Sequence, residues 1–568
     1  MSGHYKIYIL DRNYENYEIY DSHTMTKLEE QPKINPITSK VMNGDIFEIT
    51  KGSVSIIHSP MRKAKFISGV LVLKQNKTYG KFKNKYFYRC IPDDKRIPEF
   101  LIPYKVQMKF RKHQDNKYIV FKFISWRKKH PVGSIINTIG DVSELQSFYE
   151  YQMYCNSLYT SIANLKIKTK EMLKLHNVEY YTNEILKKYS IEDRLDYEII
   201  TIDSKASKDL DDALGVRHID DENTIVSIYI SNSMLWMDVL DLWESFDDRI
   251  ATIYLPDRKR PMMPTKLSDD ICSLLENKKR FAFTLDIHIN RNTGEILSYD
   301  YCNTIICVRK NLRHKTDELN NNVIYNELIQ ISAKMNKKKI YLDSVVNSHE
   351  VVSYYMVLMN YLTAIKLKEH GSGIYRFTRS NKEYKAPDNA SSDIKKFLKI
   401  WHSMGGLYCK FENIEEHDML NLEAYLHITS PNRRLVDLLN IIIYQEIFNM
   451  VKLTEKSKMF YDKWNTNESI DYINKTMKSI RKVQNDCSLL NICYNDDSLT
   501  KKVINGYVFD KLKRNDNLYQ YIVYIPLLKM TNRLVSTKEL DILTNYNFKI
   551  FIFMDEVRLK QKIRLLLV

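Results

Sequence analysis

At Ile199 an apolar run, Ile-Ile-Thr-Ile, ends on Asp203, and three further aspartates, Asp209, Asp211 and Asp212, follow before Ala213. No other stretch constrains the chain so tightly. Four carboxylates this close repel one another strongly at neutral pH, and a fold keeps them together readily only where a cation neutralises them. All-oxygen donors suit a hard cation: Mg²⁺ takes one or two carboxylates per ion and leaves room for waters and phosphate oxygens. Two such ions, roughly 3.5–4 Å apart, are the apparatus of phosphodiester hydrolysis, activating the attacking water and stabilising the leaving oxygen. A calcium loop of EF-hand type is excluded, because it needs Gly at its sixth position and Glu at its twelfth. A solvated acidic loop needs neither, and the cluster alone leaves that reading open.

The rest of the chain is long enough for several cores. Single hydrophobic cores stop growing near roughly 250–300 residues, so 568 residues imply one large domain and several small ones. Hydrophobic residues at 44% and charged residues at 27% fit a globular chain rather than a fibrous or disordered one. Lys plus Arg number 86 against 70 for Asp plus Glu, a formal surplus of +16. That surplus suits a polyanionic partner, since each phosphate contact releases counterions; it equally suits an AT-rich genome that over-uses Lys, Asn, Ile and Tyr. Met1 to Tyr20 carry charges and tyrosines throughout and show no signal peptide. The longest apolar stretch, Val351 to Ile365, is too short to span a membrane and reads as a buried helix. The 8 cysteines form no C-x-x-C pair, which argues against a zinc ribbon or a disulfide framework and for a reducing compartment. The cytoplasm is expected, with the nucleus or a viral factory as alternatives.

Short alternating runs with frequent turn signals, such as Tyr5–Leu10, Val54–His58, Gly69–Leu73 and Tyr118–Ser125, predict two small β-barrels over 1–65 and 66–140. A helical connector follows over 141–195 and a mixed α/β region over 196–498. Strand-like Val503–Phe509, Tyr521–Pro526 and Phe548–Phe553 then predict a third barrel of OB-fold size over 499–568. Lys81, Lys83, Lys85, Tyr86, Tyr88, Arg89, Arg96 and the run Lys109-Phe-Arg-Lys112 interleave charge and rings as single-strand grooves do. Strand aromatics also serve plain cross-strand packing.

The string Thr201-Ile-Asp203-x-x-x-Ser-Lys-Asp209-Leu-Asp211-Asp212-Ala213 resembles the first signature of the RNase II (RNB) family of 3′→5′ exoribonucleases. Three further blocks resemble that family in the order it requires. They are Tyr254-Leu-Pro-Asp-Arg-Lys-Arg-Pro-Met-Met-Pro264 with Leu267–Leu274, Met356–Asn360, and Tyr425-Leu-His-Ile-Thr-Ser-Pro-Asn-Arg433-Arg434-Leu-Val-Asp437-Leu. Ile91–Pro98 and Val120–Trp126 resemble the second cold-shock barrel of the exosome-associated, RNase R-like branch, and Gly506-Tyr-Val-Phe and Tyr524–Pro526 its C-terminal barrel. The resemblance implies a multidomain α+β chain, with an RNB mixed α/β catalytic domain flanked by small all-β OB-fold barrels. Two of these would be cold-shock-like and the last of the S-one type. The PIN domain that precedes the barrels in some members is expected to be missing.

The same resemblance implies a hydrolytic 3′→5′ exoribonuclease that degrades single-stranded RNA from a free 3′ end to 5′-nucleoside monophosphates by a two-metal mechanism. Asp203, Asp209, Asp211 and Asp212 would hold Mg²⁺, with Mn²⁺ as the alternative. Arg433 would contact the scissile phosphate, and Tyr254 would stack on or position the 3′-terminal nucleotide. Arg434 would bind phosphate or pair with Asp437. An exosome-like or other RNA-processing partner is implied, with the protein itself a monomer and no membrane role. Several positions depart from the pattern: Ser231–Leu235 replaces a common A-D-V-x-H string, Leu435 stands for a usual Tyr, Ile441 near a usual His, and Gln484 near an expected Glu. The rival readings are a catalytically silent RNB-fold RNA-binding regulator, which loss of one of the aspartates would mark, and a DNA-processing nuclease.

Overall fold

The computed structural model describes residues 4–50, 52–106, 114–339, 341–380, 390–401, 403–514 and 516–568. The expected basic-aromatic run Lys109–Lys112 lies outside the described residues. Two compact units emerge, one of residues 1–159, 255–257 and 481–568, the other of 160–254 and 258–480.

The first unit holds the small β-sheets that the alternating runs predict. Its N-terminal sheet pairs Tyr17–Asp21, His4–Ile9, Ile46–Thr50 and Ser53–His58 in that order. The next has six strands, and Ile67–Leu71 pairs with both Lys117–Ser125 and Lys85–Pro92, which closes it into a barrel. One continuous core, including Ile7, Phe47, Phe100 and Phe121, fills both. The C-terminal sheet orders Met530–Ser536, Tyr519–Ile525, Ile504–Lys513, Thr544–Asp555 and Lys560–Leu567. Leu489 and Cys493, from the helix Asn467–Asn495, complete its core. Glycine is required at Gly506, where a Cβ would come within 2.6 Å of Val523 and 2.9 Å of Phe548.

Not every charged or aromatic barrel residue is available for binding. Tyr88 lies in the core against Tyr104, while Arg89 pairs with Glu99 at 3.4 Å and Arg96 with Asp94 at 2.8 Å. Phe82 and Tyr86, on the hairpin Lys81–Phe82/Lys85–Pro92, are exposed, with Lys83 over the Phe82 ring.

The second unit is built on a seven-stranded sheet. Its order is Glu192–Arg194, Glu295–Cys307, Lys279–Asn290, Asn223–Ser231, Asp212–His218, Ile199–Asp203 and Lys310–Arg313. The interior pairings are antiparallel; the two edge strands join in parallel. Asn223–Ser231 is buried from Thr224 onward, so its apolar residues fall on both faces rather than alternating. Helix Leu435–Ile447 sets Tyr444 against Phe283 and Tyr301. Val351–Ile365 is buried helix as expected, within Ser348–Glu369, whose first turn is capped by the Asn347 side chain accepting from His349 and Glu350 amides. Among the described residues no helix is long and apolar enough to cross a membrane.

Candidate active site

The sheet delivers the four aspartates. Ile199, Ile200, Thr201 and Ile202 are buried along one strand, which brings Asp203 to its end opposite Arg313. The chain turns back through a loop pinned at two places: Leu210 N–H donates to Ser273 Oγ at 3.0 Å, and Ser273 Oγ donates to the Lys208 carbonyl at 2.8 Å. Leu210 is itself buried, so the loop cannot swing out into solvent. Asp212 then opens the next strand opposite Ile230, and the Asp211 carbonyl accepts from Ser231 N–H at 2.8 Å. This anchoring removes the solvated-loop reading that the sequence leaves open.

The late block closes over Asp211 from far along the chain. Its carboxylate accepts from Arg433 Nε at 2.8 Å and from the Asn432 amide at 3.2 Å. Arg433 Nη2 donates to Ser430 Oγ at 2.8 Å, and its backbone carbonyl accepts from Thr252 N–H at 2.9 Å. Asp211 is 1% exposed and Arg433 38%, so the buried carboxylate fixes a guanidinium that still reaches the surface of the site. Asp209 faces elsewhere. Its Oδ2 accepts from the Tyr254 hydroxyl at 2.8 Å, and its Oδ1 lies 3.1 Å from Lys259 Nζ, which also pairs with Asp269 at 2.8 Å.

Burial raises Asp203 to about 6, against the pull of Arg313 and Arg433. Burial raises Asp211 to about 7, with the Arg433 charge opposing. Asp212 rises to about 8, from burial first and then from the charges of Asp203 and Asp211. Asp203 Oδ2 is buried without a hydrogen-bond partner. Among the described residues no three His, Cys, Asp or Glu side chains already converge on a metal point, because Asp209 is drawn to Tyr254 and Lys259 and Asp211 to Arg433. The donor chemistry nevertheless fits a hard divalent ion: oxygen-only ligands, a buried orphan oxygen, and four carboxylates against the three cations Lys259, Arg313 and Arg433.

The remaining expected residues sort by partner. Arg434 donates from Nη2 to Asp437 Oδ1 at 2.8 Å, and Asp437 Oδ1 also accepts from the Ser430 amide at 2.7 Å. Of the two roles the sequence allows for Arg434, this is the ion-pair one. Asn360, from the expected central helix, accepts from Ile428 N–H at 2.9 Å and donates to the Tyr425 hydroxyl at 3.0 Å, tying that helix to the late block. Within the divergent Ser231–Leu235 segment, Asn232 donates to Asn303 at 2.8 Å, a buried structural contact. Leu435 and Ile441 are buried on helix Leu435–Ile447, and Gln484 falls on helix Asn467–Asn495. Lys259 is the residue that sequence reasoning misses. Its signal is the spacing to Tyr254 across Pro256-Asp257, which a hairpin would turn into a facing pair.

A mixed sheet that ends in four clustered aspartates against an arginine, in a chain that also carries small β-barrels, is the arrangement that the resemblance to the RNB family implies. Comparison with known proteins agrees. Residues 191–316 match the RNB domain model, and 87–150 match the Dis3-like cold-shock domain 2 (CSD2) model. Ribonuclease R of Ureaplasma parvum serovar 3 is 32% identical over 206 residues, 36% of this chain and 27% of that protein. The chain spans about a quarter of the length of the curated relatives it matches. Among solved structures, Mycoplasma genitalium RNase R in complex with ribose methylated single-stranded RNA aligns with a TM-score of 0.71 at 15% identity, covering 99% of this chain and 100% of that one. Yeast Ssd1, a pseudonuclease, aligns with a TM-score of 0.59 at 12% identity, covering 96% and 80%. Residues 191–316 thus match an RNB domain, and the chain is similar over part of its length to ribonuclease R and to a DIS3-like exonuclease.

Proposed function

We propose that this protein is a hydrolytic 3′→5′ exoribonuclease that shortens single-stranded RNA from a free 3′ end and releases 5′-nucleoside monophosphates. The observation that carries the reading is the anchored aspartate set, with Arg433 locked on Asp211 and Tyr254 on Asp209. Asp203, Asp209, Asp211 and Asp212 would hold Mg²⁺, or Mn²⁺ in its place. Bound divalent ions would supply an activated water and charge for the leaving oxygen, the two-ion chemistry of phosphodiester hydrolysis. The chain's own residues do the positioning. Arg433 offers a fixed guanidinium where charge builds on the scissile phosphate. Tyr254, 42% exposed, offers a ring on which a terminal base can stack without regard to sequence. Arg434 contributes by holding the Ser430–Arg433 turn through Asp437. The exposed Phe82 and Tyr86 with Lys83 suit contact with a single strand. We further propose a monomer acting in the cytoplasm, alone or with an RNA-processing complex.

The rival is a silent RNA-binding regulator, favoured by the fold likeness to a pseudonuclease. All four aspartates are present, which weighs against it. Incubation with RNA or DNA oligonucleotides in Mg²⁺, followed by chromatography of the products, tests the proposal. The expected result is 5′-nucleoside monophosphates from RNA alone. Binding without release favours the regulator, and release from DNA favours the DNA nuclease.

A further inference from the structure

Tyr254 and Lys259 stand directly opposite each other on the hairpin of Ile253–Tyr254 and Lys259–Arg260. Directly paired residues of an antiparallel ladder project to the same face, and here both side chains end on one carboxylate. The Tyr254 hydroxyl takes Asp209 Oδ2 at 2.8 Å, and the Lys259 ammonium takes Oδ1 at 3.1 Å. Lys259 has a second anchor, Asp269 Oδ1 at 2.8 Å, which in turn accepts from Ser268 Oγ at 2.6 Å in the turn Leu267–Ile271. The three charged side chains are 18%, 8% and 15% exposed, so this is a shielded triad rather than a surface ion pair.

We propose that Lys259 is a positioning residue for Tyr254, acting through Asp209, and so sets how the 3′-terminal base is held. The inference rests on the nuclease reading above and deepens it. The Tyr254 ring is 42% exposed and its strand is two residues long, and the hydroxyl's bond to Asp209 is one anchor of the ring's direction. A carboxylate held at one oxygen can rotate about its terminal bond. Held at both, as Asp209 is, it presents Oδ2 in one direction only. Lys259 thereby converts a single hydroxyl contact into a rigid link between hairpin and aspartate loop. It also places a positive charge beside a carboxylate whose own charge acts on Asp203 and Asp211. Without that ammonium, Asp209 would be free to turn and take the ring with it.

The test uses full-length protein and a single-stranded RNA carrying 2-aminopurine at its 3′ end, bound in Ca²⁺ so that stacking is read without turnover. Wild type is expected to quench the base, and Tyr254→Ala to lose the quench. Lys259→Met is expected to lose most of it and to raise KM for RNA in Mg²⁺ by about tenfold, with a smaller change in kcat, as loss of one charge-assisted hydrogen bond would give. Lys259→Arg, which can still span Asp209 and Asp269, is expected to restore both. If Lys259→Met melts well below wild type, Lys259→Gln takes its place under the same readouts. Wild-type quench and KM in the Met or Gln variant, or no restoration by Arg, overturns the inference and leaves the nuclease reading standing. A wild type that neither quenches nor cleaves overturns the nuclease reading, and the inference with it.

Discussion

Asp212→Asn, in protein stripped of divalent ions, is expected to resist heat better than wild type at alkaline pH while losing most of its response to Mg²⁺. Burial, and then the charges of Asp203 and Asp211, hold the Asp212 carboxyl up at about 8; burial holds Asp203 at about 6 and Asp211 at about 7. In an unfolded chain an aspartate titrates near about 3.9. Between those values the folded protein keeps protons that the unfolded chain has lost, so stability is greatest at low pH and falls as pH climbs from about 4 towards 8. One pKa unit corresponds to about 1.4 kcal/mol, so the displacement of Asp212 costs on the order of 5 kcal/mol once it has ionised, of which about 3 kcal/mol falls above pH 5.5. The substitution removes this titration, the highest of the three, and with it a negative neighbour of Asp203. A change of about 3 kcal/mol moves Tm by on the order of 6–12 °C in a large domain. Differential scanning calorimetry in EDTA at pH 5.5, 7 and 8.5, repeated with Mg²⁺, reads the effect. Wild type should lose on the order of 5–10 °C across that range and recover it with Mg²⁺. The variant should lose less than half as much and gain little from the ion. A flat wild-type Tm, or an equal decline in both proteins, would refute the claim that uncompensated carboxylates strain this site.

Arg433→Ala should lower kcat on RNA by about 10²–10³-fold with KM changed much less, since the guanidinium serves charge that develops in the transition state; steady-state kinetics check it. Arg434→Ala leaves Asp437, 0% exposed, without its cation, and should destabilise the fold by about 3 kcal/mol in urea unfolding. Its RNA affinity should keep the wild-type salt dependence, because Arg434 faces Asp437 and not phosphate; a shallower salt slope would contradict that. Gly506→Ala should cost about 1–3 kcal/mol, because the new methyl meets Val523 and Phe548 inside contact distance. Faster proteolytic nicking within residues 504–568 is the readout.

How far the sequence speaks for the structure depends on distance along the chain. The strand into Asp203 and the return at Asp212 are legible because their cause is local: buried β-branched residues on one side, and carboxylates that need a cation on the other. The barrels are legible from period-2 alternation, but alternation reports one strand at a time. It cannot reveal that Ile7 and Phe121 belong to one core. The partner choices at the site are non-local. Arg433 and Asp211 stand 222 positions apart, and nothing in either segment alone pairs them. Arg434 illustrates an ambiguity that geometry resolves. Its i,i+3 spacing to Asp437 suits an ion pair over the first helical turn, and its motif suits a phosphate contact; the structure has the ion pair. Tyr88 shows the reverse, an aromatic in a basic stretch that looks like a binding residue and turns inward. Lys259 is invisible among so many lysines until the hairpin sets it opposite Tyr254.

Wild type and Asp212→Asn should be incubated with 5′-labelled single-stranded RNA and Mg²⁺, and the products followed on a gel over time. Stepwise shortening from the 3′ end by wild type, with the variant shifting the RNA but leaving it intact, is the expected result. Intact RNA in both lanes despite a binding shift would contradict the account and make the protein a silent binder of RNA.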